Sequence, residues 1–207
     1  MADWWPDWRG KTVVIAASGP SQRREDIEFA SARATVLAIN NTWEIAPAAA
    51  AVYAGDNSWW QCQEPGYGQH AIREFSGLLV SGSNHTTQVR RLPSREVGIE
   101  IYGENLGDGG SSTYQAINIA VLWGASRILL TGVDCMRPGE HWHGTHAAKN
   151  APGTNPLANA RASTMQKWIK AFSQMAPLLA ARGVEVINCT RVTALTAFPT
   201  DRLENVL

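Results

Sequence analysis

Three short apolar runs, each halted by small polar residues, constrain this chain more than any other feature. Thr12–Ala17 stops at Ser18-Gly19-Pro20-Ser21, Ala34–Ile39 stops at Asn40-Asn41-Thr42, and Ala51–Ala54 stops at Gly55-Asp56-Asn57. The runs are continuously apolar and rich in β-branched residues, the pattern of strands buried on both faces of a parallel sheet. Parallel strands align their ends on one edge, so three polar strand ends predict a shared ligand-binding edge. Each loop alone has a plain alternative. Ser18–Ser21 reads equally as a capped strand-to-helix turn, Asn40 as a helix cap, and Asp56 as a cap ahead of Trp59-Trp60.

Gly110-Ser111-Ser112-Thr113 opens a helix of about three turns. Gly124 ends it, and Arg127–Thr131 forms a further buried strand that stops at Gly132-Val133-Asp134. A helix start leaves N–H groups unpaired at the positive end of the helix dipole, which suits an anionic group. Arg24–Arg33 and Ser163–Arg182 carry apolar residues at helical spacing, the second with a bend expected near Pro177. Gly77–Gly82, Val97–Tyr102 and Val184–Asn188 read as further strands, the middle one at an edge. The pattern predicts an α/β fold: a single Rossmann-like three-layer domain over residues 1–207, with a mainly parallel sheet and lid-like insertions at 57–109 and 135–160.

A chain of 207 residues with 44% hydrophobic content can bury one full-sized core. Lys plus Arg and Asp plus Glu number 18 each, so no global field recruits nucleic acid or an anionic membrane, and a bound phosphate must be held locally. No apolar run is long enough to span a bilayer, and the first residues lack the pattern of a signal peptide, so the expectation is a cytoplasmic protein. The three cysteines show neither disulfide nor metal spacing and are expected to be reduced packing residues. Of nine tryptophans, three lie in Asp3–Arg9, an arm expected to pack on the sheet edge or on a second subunit of a homo-oligomer.

His141, His143 and His146 fall within six positions in a Gly/Pro loop. Histidine is the side chain most easily poised between acid and base near neutral pH. Spacings of two and three match no structural zinc motif, and clustering after the strand-end Asp134 points to chemistry at one of them. Arg90, Arg91 and Arg95 form a small basic cluster, a solvated surface or a lid over phosphates.

The order of Ala17-Ser18-Gly19-Pro20-Ser21, Ala38-Ile39-Asn40, Gly110-Ser111-Ser112, Leu130-Thr131-Gly132-Val133-Asp134 and Gly144-Thr145-His146-Ala147 resembles the hydroxymethylpterin diphosphokinase-like family. Bacterial sialyltransferases using a CMP-linked donor have much the same pattern, and 141–150 is similar to their histidine segment with two extra residues. The resemblance implies a nucleotide donor across the strand ends and His146 as the general base. In the kinase-like branch it also implies Mg²⁺ and pyrophosphoryl transfer. Similar compact proteins are encoded by phages, which implies nucleotide modification or the countering of nucleotide signals. Residues 135–160 lack the lid tyrosines of the sialyltransferases, and the chain is shorter than typical members of either branch.

The expected activity is transfer of a glycosyl or (pyro)phosphoryl group from a nucleotide or nucleotide sugar to a hydroxyl. Base and ribose are assigned to Asn40, Asp56 and Asn188, and phosphates to the Ser18–Ser21 turn with its Gly19 and Pro20, and to Gly110, Ser111, Ser112 and Thr113. His146 accepts the hydroxyl proton, and Asp134 orients a histidine or holds Mg²⁺. Two rivals are a phosphohydrolase with a cation held by Asp134, His141, His143 and His146, and a protein that sequesters a nucleotide without chemistry.

Overall fold

The computed structural model describes residues 3–63, 72–83, 88–95, 98–99, 105–145 and 159–207. The apolar runs form strands β1 (Thr12–Ala16), β2 (Thr35–Ile39) and β3 (Ala51–Ala54), followed by β4 (Leu78–Ser81), β5 (Val89–Arg91), β6 (Arg127–Thr131) and β7 (Glu185–Asn188). They make one sheet in the order β5-β4-β3-β2-β1-β6-β7, and every neighbouring pair is parallel.

Alternate residues of each strand enter two cores, as a period-two backbone requires. Val13, Ile15, Leu37, Ile39, Ile128 and Leu130 pack beneath helices α3 (Ser112–Leu122) and α4 (Ala162–Ala180). Val14, Ala16, Val36, Ala38 and Leu129 face the opposite layer, with α1 (Arg24–Ser31), α2 (Asn57–Gln63) and the closing α5 (Leu203–Val206). The result is a three-layer α/β fold of Rossmann type. Because both faces are covered, the strands could not alternate polar with apolar residues and remain soluble in the core.

The edge strand expected over 97–102 lies largely outside the described residues, and Val89–Arg91 forms the edge beside β4. Region 57–109, expected as an insertion, supplies two strands of the sheet. α4 continues through Pro177 to Ala180, burying Met165, Phe172, Met175 and Leu179. The tryptophan arm, expected on the sheet edge or on a second subunit, packs on the residue that ends α3. Trp8 is buried edge-on against Trp123, with ring centroids 4.6 Å apart, and Trp4 meets the same ring. No described helix is long and apolar enough to cross a membrane.

The strand order places β1 at the centre. From there the chain runs outward to β5, then crosses back to β6 on the other side. That reversal is a topological switch point, where open α/β sheets leave a crevice beyond the carboxyl ends of the strands.

Candidate functional site

A cleft of about 580 Å³ opens at this switch point, lined by the loops after β1, β2, β3 and β6 and by the first turns of α3 and α4. Its volume lies within the usual range for small-molecule sites.

At the centre the β1 and β6 loops lock together. The Gly19 N–H donates to the Gly132 carbonyl (2.8 Å). The Ser21 N–H donates to Asp134 Oδ1 (3.0 Å), and its hydroxyl donates to Oδ2 (2.9 Å). A Cβ on Gly19 would overlap the Asp134 carboxylate and the Gly132 carbonyl, so only glycine fits. The Ser18 hydroxyl lies 2.9 Å from both the Ile39 carbonyl, to which it donates, and Thr42 Oγ1.

These contacts redistribute the expected roles. The side chains of Ser18 and Ser21 and the N–H of Gly19 are engaged inside the protein, so this turn braces the cleft and offers these groups to no phosphate. Pro20 lines the wall but has no N–H to donate. Among the described residues Asp134 is held by Ser21, not by a histidine. Burial raises its carboxyl above the usual range, while the two Ser21 donors act in the opposite direction. Asn188, fully buried, donates to Thr193 Oγ1 and the Leu195 carbonyl and accepts from the Thr190 N–H, so its amide shapes a turn and it does not line the cleft.

The groups suited to an anion lie at the start of α3. Ser111 caps the helix by accepting from the Tyr114 N–H (3.2 Å), and the Ser112 hydroxyl accepts from the Gly55 N–H (3.2 Å). Both hydroxyls have a proton to donate, and the first-turn N–H groups of Ser112 and Thr113 have no acceptor within the helix. Gly110, at φ +77°, makes the turn into this helix.

Asp56 and Asp108 both line the cleft, near enough for the charge of Asp108 to act on Asp56. Asp108 accepts from the Gly110 N–H (2.8 Å) and from Gln115 Nε2 (3.3 Å), whose Oε1 in turn accepts from the buried Tyr53 hydroxyl. Asp56 opens to solvent within the cleft but is crowded by protein; that desolvation, and then the like charge of Asp108, raise its carboxyl above the usual range. The folded state therefore binds this proton more tightly than the unfolded chain does. The group's stabilising contribution is complete below the unfolded value of about 3.9 and is lost as pH rises through the folded value. Asp56→Asn should consequently raise Tm at pH 7, with the gain shrinking towards pH 4. Thermal unfolding at both values checks this, and an equal loss at both would contradict it.

Asn40 and Cys135 are the non-glycine residues with left-handed backbone among those described, at φ 49° and 52°, and both line the cleft. Such conformations cluster at ligand sites. Asn40 Oδ1 is buried without a protein donor. Burial, then Asp134, pushes the Cys135 thiol up to about 11, which keeps it from acting as a thiolate.

His141 docks on the β1 turn, its Nδ1 3.3 Å from the Ser18 carbonyl, and the Trp142 N–H donates to the same oxygen. A carbonyl only accepts, so Nδ1 carries the proton and Nε2 is the basic nitrogen. Burial lowers the His141 pKa, partly offset by that hydrogen bond. His143 stacks on His141 with centroids 5.1 Å apart.

No protein-family model matches the chain, and no curated protein matches it in sequence.

His146, the expected base, lies outside the described residues. The cation cage expected of a hydrolase does not assemble among those described. Asp134 faces Ser21, His141 faces Ser18, and no group of three or more metal-ligating side chains forms. Sequence reading missed Asp108, although an acidic residue in Gly107-Asp108-Gly109-Gly110, just before a helix start, is a recognisable signal. It gave chemistry to one of the three clustered histidines and, through the resemblance, named His146 and not His141 as the base.

Proposed function

We propose that the cleft binds a nucleotide and that the protein transfers a glycosyl or (pyro)phosphoryl group from that donor to a hydroxyl acceptor. The observation that carries this reading is the capped start of α3 opening into the switch-point crevice that His141 also lines. Negative charge that grows on a leaving phosphate meets the Ser112 and Thr113 N–H groups and the helix dipole. His141, its pKa lowered by burial and its tautomer set by Ser18, is the base assigned to the attacking hydroxyl, whose proton reaches Nε2 once that buried nitrogen is uncovered. Asn40 Oδ1 is an acceptor suited to a ribose hydroxyl or an exocyclic amino group of the base.

Two carboxylates beside an anion-binding helix start would repel a polyphosphate, which supports the Mg²⁺ of the kinase-like resemblance. Asp56 and Asp108 are the residues that would hold it, since Mg²⁺ uses one or two carboxylates together with substrate phosphates. When bound, it would neutralise phosphate charge. Asp134, whose oxygens are occupied by Ser21, suits this role less.

Thermal unfolding with nucleoside mono-, di- and triphosphates and nucleotide sugars, with and without Mg²⁺, tests the reading. A ligand at a hundred times its Kd stabilises by about 2.7 kcal/mol. In a chain of this size that is roughly 5–11 °C in Tm. We expect a rise with at least one nucleotide, larger with Mg²⁺ for the polyphosphates. No rise with any member of the panel would remove the nucleotide.

A further inference from the structure

The first turns of α4 give the cleft a different character from the α3 side. Met165, Trp168 and Phe172 recur at helical spacing and all line the cleft, forming an apolar strip. Trp168 is partly buried, and its Nε1–H donates to the Gly110 carbonyl at 2.6 Å, which fixes the indole beside the loop that opens α3. Met136 follows the left-handed Cys135 and is 49% exposed. Among the described residues the exposed large apolar side chains are Met136, Leu178 and Val192, and Met136 alone of these lines the cleft.

Met165 and Phe172 are buried, so the apolar faces open to the cleft are those of the partly buried Trp168 and the exposed Met136; a pinned indole with an adaptable thioether suits a flat ring. The neighbouring α3 start suits an anion. One ligand satisfies both only if it joins a planar heterocycle to a phosphate.

From this juxtaposition we infer that Trp168 and Met136 form the subsite for the purine or pyrimidine ring of the nucleotide, with the ring against the Trp168 indole and its phosphates at Ser112 and Thr113. This inference rests on the nucleotide reading and moves the ring contact away from Asn188. Asn40 remains as the polar contact to the sugar or the ring edge. A ring over an indole gains stacking and desolvation energy with little dependence on base identity, so the subsite favours heterocycles over ring-free phosphates and discriminates weakly among bases.

Titrations of ¹⁵N-labelled protein with ADP, GDP, CDP and UDP, each with Mg²⁺, and with pyrophosphate as the ring-free control, decide the matter. The readouts are the Trp168 indole Nε1–H resonance, assigned through its loss in Trp168→Phe, and the Thr113 amide. The nucleoside diphosphates should move both resonances, and pyrophosphate should move Thr113 alone. Trp168→Leu should weaken nucleoside diphosphate binding by about 5- to 150-fold, the equivalent of one stacked base, with little change for pyrophosphate. Met136→Ser, at an exposed side chain that does not endanger folding, should weaken the same ligands several-fold. Nucleoside diphosphates that move Thr113 but not the Trp168 indole would overturn the ring subsite and leave the nucleotide reading standing. If no ligand moves either resonance, both fall.

Discussion

Alanine in place of His141 is expected to lower turnover of the nucleotide donor by about 10²- to 10⁴-fold, the usual range for loss of a general base. The donor KM should stay within a few-fold, because the imidazole faces the Ser18 carbonyl and the α3 donors remain in place. A second signature accompanies the first. Burial holds His141 below the ordinary histidine value of about 6.5, so the base form predominates at neutral pH. The acid limb of the kcat profile should therefore lie below that value in the parent protein and vanish in His141→Ala. Unchanged turnover would remove His141 from the chemistry. The same measurement on His146→Ala, the base implied by the family resemblance, weighs the two histidines against each other.

Phe172→Ala should produce the largest loss of stability among changes near the cleft. Phe172 is 1% exposed and packs against Tyr114 of α3, with centroids 5.7 Å apart, and against Phe198 of the closing segment at 6.2 Å. Truncating a buried phenylalanine costs about 3–5 kcal/mol, from lost burial and the cavity left behind. At roughly 2–4 °C per kcal/mol for a chain of this length, Tm should fall by about 6–20 °C. Phe172→Leu, which retains most of the volume, should lose much less. If alanine and leucine shift Tm equally, filling the space between α3 and α4 is not what Phe172 contributes.

The sheet was legible because its strands are buried on both faces. Thr12–Ala17, Ala34–Ile39, Ala51–Ala54 and Arg127–Thr131 announce themselves as unbroken apolar runs, and the strands form there to within a residue. Val89–Arg91 was not legible. It is short and at an edge, and it carries two exposed arginines, so no apolar pattern marks it.

The cleft was readable only in outline. Parallel topology gathers strand ends on one edge, which is why Gly19, Asn40 and Asp56 line one cleft. Which polar groups face a ligand depends on contacts between distant segments. Ser21 and Asp134 are 113 positions apart, and no local pattern reveals that each satisfies the other. The same holds for Ser18 with Thr42, whereas Asn188 is satisfied by a turn only a few residues long. Trp168 appeared as one residue of an apolar helix face. Its place beside Gly110 follows from how α4 packs on α3.

The central claim is that the α3 start receives the phosphate of a nucleotide lying across the switch point. A crystal structure with Mg²⁺ and the nucleotide that raises Tm most tests it directly. The account predicts phosphate oxygens within hydrogen-bond distance of the Ser112 and Thr113 amides, and the ring on the α4 side. Phosphates seated away from α3, or a nucleotide bound outside the cleft, would contradict it.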